Sequence, residues 1–259
     1  MIGLYTGVSA AFGFALSILS RIIGRSHNWR CCFLLNGISV ISVALVFLFI
    51  PDTAQDKDEK GGGLLSVLCA CTRNNVFKII FEYFVSSTLY CILFVFVDIY
   101  VSEKGIGDSV VSGSISSLGS VITFLMGLVF PAIFTKLKEK LPSICLFGMS
   151  TAFLILLKAT GLYEGVLGFA LAAVFFSIVY SYYQTKLGLL VPLDEAEGCF
   201  GVLNAAYNVA CFISAYVPYK IIALIGKDKV FESFGVFDAV MFVLGTANIG
   251  MVSPKAKCD

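Results

Sequence analysis

Histidine is almost missing from this chain: His27 is the single example in 259 residues. Imidazole is the usual proton carrier and metal ligand of protein sites. His27 stands in a basic loop beside Arg25 and Arg30, so it offers neither a metal centre nor a proton relay. Charge is scarce as well. Asp, Glu, Lys and Arg make up 14% of the residues, where soluble globular chains carry about 25%. The 18 Lys and Arg set against 17 Asp and Glu leave a net charge of +1, without the basic excess that holds nucleic acid, and no nucleic-acid partner is expected. Nine cysteines (Cys31, Cys32, Cys69, Cys71, Cys91, Cys145, Cys199, Cys211 and Cys258) show no metal-ligand spacing backed by histidine. They read as small apolar packing residues, with lipidation of Cys69 and Cys71 as the alternative for that pair. The Gly61 to Gly63 triplet lacks the Lys-Ser or Lys-Thr of a nucleotide loop, and no paired-carboxylate motif is present. No catalytic residue, metal ligand or cofactor is expected.

What the chain has in excess is hydrocarbon. Hydrophobic residues make up 58% and the mean hydropathy is +0.93. A transmembrane helix needs roughly 20 mostly apolar residues to cross about 30 Å of lipid while satisfying its own backbone. Eight stretches meet this at residues 2–20, 31–50, 79–102, 109–135, 143–163, 165–185, 198–219 and 233–253, and the only charges inside them are Glu82, Asp98, Lys158 and Asp238. The runs are continuous and about twice the ten residues of a barrel strand, so the expected fold is an all-α membrane protein of about eight transmembrane helices. The first stretch opens at Met1 without a basic leader and is long enough to span, unlike a cleavable signal.

The connection from Pro51 to Asn75 is the one linker-like segment: a charged tract, Asp52 to Lys60, followed by three glycines. After it, Leu64 to Cys71 is too short to span and suits a surface-lying helix or a tethered loop. Lys and Arg counted on alternate sides of the spans come to eight and ten, too even to set orientation. The side holding the long connection is read as cytoplasmic because that connection carries the solvated tract Asp52 to Lys60. The domain reading is residues 1–50 as a pair of helices, 51–75 as an interdomain loop, 76–253 as six helices and 254–259 as a short cytoplasmic tail.

Two spans, a long charged loop and six further spans resemble the rear part of a major facilitator superfamily transporter. Trp29, Arg30, Phe33 and Asn36 look like the start of the sixth helix in the drug-exporter branches, and Gly3, Gly7 and Gly13 are similar to the glycine-rich fifth helix. The family's antiporter motif wants Pro after the glycine and a Gly pair beyond, where this chain has Val8, Ala11 and Phe12. Lys136 to Lys140 occupies the place of the basic loop between the eighth and ninth helices, without its Gly and Asp. Val191, Pro192, Gly198, Gly201, Asn204 and Asn208 resemble the approach to the eleventh helix. The resemblance implies helices five to twelve of a twelve-helix fold, a remnant of the first half joined to the whole second half, with four helices expected ahead of Met1.

Carriers need polar groups facing a water-filled cavity near mid-membrane. Tyr180, Tyr183 and Gln184 stand at helical spacing on one face of a span, as do Asn204, Tyr207, Asn208 and Cys211 on the next. These spans correspond to the tenth and eleventh helices, which in the family border the central cavity. Tyr180, Tyr183, Gln184, Asn204, Tyr207, Asn208 and Tyr90 are the cavity candidates, with interhelical hydrogen bonding as the alternative. Glu82 and Asp98, sixteen residues apart and so about 24 Å along the axis, cannot act as one pair. Each is a candidate for proton or ion coupling or an interfacial carboxylate near a span end. Gly113, Ser116, Ser117, Ser120 and Gly127 form a small-residue stripe for close helix packing. Pro131 and Pro218 are expected to kink or end their spans. The expected function is secondary or facilitative transport of a small solute, with the lipid bilayer as the other partner. The alternatives are a degenerate or truncated transporter-like protein and an integral-membrane enzyme, which lone His27 and the widely spaced acids oppose.

Overall fold

The computed structural model describes residues 64–107, 109–226 and 232–251, with Ala15, Leu19 and Ile23 besides. The spans expected at 2–20 and 31–50, the residues resembling the fifth and sixth helices, His27 and the 254–259 tail lie outside the described residues. What is described is helical: α1 (Leu64–Thr72), α2 (Asn74–Glu103), α3 (Ser109–Leu137), a 3-10 turn (Lys138–Lys140), α4 (Leu141–Lys158), α5 (Leu162–Leu190), α6 (Leu193–Ile225) and α7 (Ser233–Met251). The six spans drawn from residue 79 onward correspond in order to α2 through α7, their ends shifted by a few residues. α1 is the short helix of the connection.

Among the described residues, four helical runs are long and apolar enough to cross a membrane: Asn74–Glu103, Val110–Lys158, Leu162–Leu190 and Glu195–Leu224. The second contains both α3 and α4, with Lys138 (φ 42) and the 3-10 turn between them. A shorter apolar helix covers Ser233–Asn248. Several long apolar helices in one chain make this an integral, multi-pass membrane protein.

Local chemistry explains where the helices stop. α2 ends at Gly105 (φ 63), whose left-handed backbone lets Ile106 N–H reach back to the Val101 carbonyl at 3.1 Å, the glycine-dependent closure that satisfies late carbonyls. Gly226 closes α6 with another positive φ, but in an extended conformation (φ 83, ψ 161). Neither proline ends its helix: α3 runs on past Pro131 to Leu137, and α6 passes position 218 to Ile225.

α2 packs on α6 and α5, α3 packs on α5, and α4 lies between α5 and α7. Tyr83, Phe96 and Tyr100 of α2, Tyr183 of α5, Phe153 of α4 and Phe234 of α7 are among the largest fully buried side chains. Lipid is as apolar as leucine, so burial of hydrocarbon does little to hold such helices together; close packing and interhelical hydrogen bonds do it instead. The α4–α5 seam shows the first device. Gly148 of α4 receives the Phe175 ring of α5, where a Cβ would lie 2.4 Å from the ring, and Gly168 of α5 receives Leu156 of α4, where a Cβ would lie 2.6 Å from Cγ. Beside its small-residue stripe, α3 shows both. Gly119 admits Phe94, while Ser116 and Ser117 return their hydroxyls to the carbonyls four residues back. Thr123 and Ser177 join α3 to α5 at 2.8 Å.

Gly168→Val overpacks the seam and is expected to cost about 1–3 kcal/mol, seen as a lower midpoint of thermal unfolding in detergent. Gly201→Ala, where nothing lies within 4 Å of the added carbon, is expected to leave that midpoint in place.

Candidate functional site

The sequence places Lys78 and Glu82 four residues apart on α2, one above the other on one helix face. Here the Lys78 ammonium is 3.5 Å from Glu82 Oε1, and the Glu82 side chain is 5% exposed against 25% for Lys78. A carboxylate in an apolar helix is costly unless its charge is matched and its lone pairs filled. Two other helices supply the remaining donors. The Tyr183 hydroxyl of α5 donates to Glu82 Oε2 at 3.0 Å, and the Asn248 amide of α7 donates to Oε1 at 2.9 Å. Asn248 also accepts from Lys78 at 3.0 Å through Oδ1. Lys78, Glu82 and Asn248 thus close a ring of three polar contacts.

One residue beyond Glu82, Tyr83 turns into an aromatic cluster. Its ring centre lies 5.3 Å from Tyr180, 6.2 Å from Tyr183 in an edge-on arrangement and 6.3 Å from Tyr207, while Tyr180 and Tyr207 are 5.8 Å apart. Separations of this size are those at which ring edges and faces attract. The ladder continues through Phe176, 5.7 Å from Tyr180, to Tyr90, which stacks on Phe176 at 3.8 Å and 12° and meets Phe94 edge-on at 4.8 Å. The buried Tyr83 hydroxyl makes no hydrogen bond of good geometry, and Tyr180 and buried Gln184 are its polar neighbours.

A cavity of about 270 Å³ opens onto the Glu82 cluster. Lys78 and Glu82 form one wall, Tyr182, Tyr183 and Lys186 another, and Glu139 of the 3-10 turn stands at the same end. Lys186 pairs with Glu139, and the Tyr182 hydroxyl donates to Glu139 at 3.3 Å. The cavity therefore carries two cations and two carboxylates, each paired with its opposite. Among the described residues no group of three or more His, Cys, Asp or Glu is placed to hold a metal.

The sequence candidates divide. Tyr180, Tyr183, Gln184 and Tyr207 come together around Tyr83, and Tyr90 joins them through Phe176. Asn204 and Asn208 do not: both are exposed on α6, and the Asn208 amide donates to the Asn204 carbonyl at 3.0 Å. Glu82 belongs to the cluster. Asp98 lies apart, exposed on α2, where the Ser112 hydroxyl of α3 donates to it. Asp238 of α7 accepts from Ser150 of α4, and Lys158 is exposed. Tyr83, Tyr182, Asn248, Glu139 and Lys186 were not singled out from the sequence. For Asn248 a signal exists, an amide inside an otherwise apolar segment. For Tyr83 the signal is adjacency to Glu82 alone.

A family profile for the Major Facilitator Superfamily matches residues 1–215 of the chain. No curated protein and no solved structure gives a match.

Lys78→Met leaves a buried carboxylate without its cation, a change that typically costs about 3–5 kcal/mol in buried pairs. The partial exposure of Lys78 places the expected loss below that range. The double variant Lys78→Met with Glu82→Leu is expected to recover part of the lost thermal stability, the signature of direct coupling in a double-mutant cycle.

Proposed function

Since the chain belongs to the major facilitator superfamily, a family of membrane carriers rather than enzymes, we propose that it moves a small solute across the bilayer, by secondary or facilitative transport with alternating access. In this reading the chain spans the membrane about eight times and corresponds to helices five to twelve of the family fold. Residues 1–50 form the remnant of the first half, 51–75 the cytoplasmic connection, 76–253 the six-helix half and 254–259 a cytoplasmic tail.

The observation that carries the proposal is the meeting of α2, α5 and α6 at Tyr83, Tyr180, Tyr183 and Tyr207, with the buried Glu82 carboxylate next to it. Phenol rings and an amide suit a solute with both apolar and hydrogen-bonding parts, and a site of this kind selects by shape and by a few placed polar groups. Tyr180, Tyr183, Gln184 and Tyr207 face the solute, and Tyr90 supports Tyr180 through Phe176. Asn204 and Asn208 line the open side of α6. Glu82 is the coupling group of choice over Asp98: it is buried and bonded to Tyr183, so a change in its protonation alters a contact that reaches the aromatic cluster. Rocking of two bundles about such a site is the general form of alternating access.

A solute is first found by thermal stabilisation of the purified protein, because a ligand that binds only the folded state raises its apparent stability. With that solute and protein reconstituted in vesicles, Gln184→Ala and Asn204→Ala are expected to reduce uptake about tenfold, equivalent to about 1.4 kcal/mol, at unchanged membrane expression. Unaltered kinetics in both variants would return these residues to packing. Glu82→Gln is expected to flatten the pH dependence of uptake while solute binding persists. Uptake by the unaltered protein that ignores a proton gradient would remove the coupling role.

A further inference from the structure

α1 is too short to span the membrane, yet three consecutive contacts seat it on the first turns of α6. Val67 fills the space over Gly198, where a Cβ would lie 2.3 Å from Val67 Cγ2. Arg73 forms a two-pronged ion pair with Glu195, with Nη1 3.1 Å from Oε2 and Nη2 3.2 Å from Oε1. Between them the Cys71 and Cys199 sulfurs stand 3.8 Å apart, both as free thiols. The ion pair and the glycine contact hold the two helices in register on either side of the thiols. Cys71 is half-buried, whereas Cys199 is fully buried.

We infer that Cys71 and Cys199 form a redox modification site: a reversible disulfide that latches α1, the helix after the long charged connection, onto α6. The oxidant class is a small disulfide such as oxidised glutathione. The Cys71 thiolate attacks one sulfur of that disulfide, forming a mixed disulfide and releasing one glutathione thiolate. The Cys199 thiolate then attacks the Cys71 sulfur and expels the second. Two protein thiols are oxidised, one glutathione disulfide is reduced to two glutathione thiols, and the two protons from the protein thiols end on them. The order follows from access, since exchange needs an approachable attacking thiol. Closing from 3.8 Å to the 2.05 Å of a disulfide asks for a displacement of about 1.8 Å, within the reach of side-chain rotation.

Two other sets of thiols act as internal comparisons. Cys69 is exposed, but two residues along a helix place it about 200° around the axis from Cys71. It is expected to take up glutathione singly. Cys91 and Cys211 are closer, at 3.5 Å, but they lie in mid-span on α2 and α6, away from the helix ends where a water-borne disulfide arrives.

The test uses the full chain, purified in detergent and equilibrated with mixtures of oxidised and reduced glutathione. Acid quenching, alkylation of free thiols and peptide mapping by mass spectrometry then follow. The expected result is a peptide linking Cys71 to Cys199, the loss of both of those thiols to alkylation, reversal by dithiothreitol, and disappearance of the link in Cys199→Ala. Gly198→Val displaces Val67 and is expected to lower the yield of the link at least about fivefold, because the effective concentration of one thiol at the other falls. A link at wild-type yield in Gly198→Val would overturn the proposal, as would glutathione found only on Cys69, or Cys91–Cys211 oxidising before Cys71–Cys199.

Discussion

Hydrocarbon offers a carboxylate no hydrogen bond and no counter-ion, and this constraint on Glu82 reaches through much of the bundle. The side chain can be ionised inside an apolar helix only if a cation and several donors arrive from its surroundings. Lys78 comes from the same helix, Tyr183 from α5 and Asn248 from α7. Satisfying one acid therefore sets the rotation of α5 and α7 about α2. Rotation of α5 in turn points Tyr180 at Tyr83 and Tyr207, and brings Tyr182 and Lys186 to Glu139 of the 3-10 turn. The aromatic cluster and the neighbouring cavity are thus consequences of one geometry.

The rest of the bundle is held by smaller devices of the same kind. Where two helices come closest, glycine makes room for a ring or a branched side chain, as at Gly148 and Gly168. Several hydroxyls in the spans bond back to their own helix or across to the next, as with Ser117 and with Thr123 and Ser177. Asp98 and Asp238 each take a serine from a neighbouring helix. Every one of these contacts answers the requirement that polar groups in lipid be satisfied within the protein.

Much of the fold was legible before any coordinates, because a membrane helix announces itself by length and by exclusion of charge. The apolar stretches within α2, α3 and α5 follow from where charged residues resume, although α2 begins ahead of Lys78 and α5 runs past Lys186 to Leu190, and the Lys78–Glu82 contact follows from spacing along a single helix. The site was less legible. Tyr180, Tyr183 and Gln184 share a face by helical period, but that face serves two purposes, with Tyr180 meeting rings and Tyr183 meeting a carboxylate. Asn204 and Asn208 share a face with no described partner from another helix. Asn248 escaped notice because its acceptor lies 166 residues away in the chain, and no periodicity carries information over that distance.

By itself, then, the amino-acid order determined the apolar helices, their succession, the charged connection before α1 and the scarcity of groups fit for enzyme chemistry. These are properties of short windows, governed by the thickness of a bilayer and the hydrogen bonds a helix makes to itself. The tertiary structure alone decided which polar residue answers which. The partners of Glu82 on α5 and α7, the ring of tyrosines around Tyr83 and the seat of α1 on α6 all depend on how helices rotate against one another, and in lipid that rotation is chosen by close packing and by a few polar contacts between residues far apart in the chain.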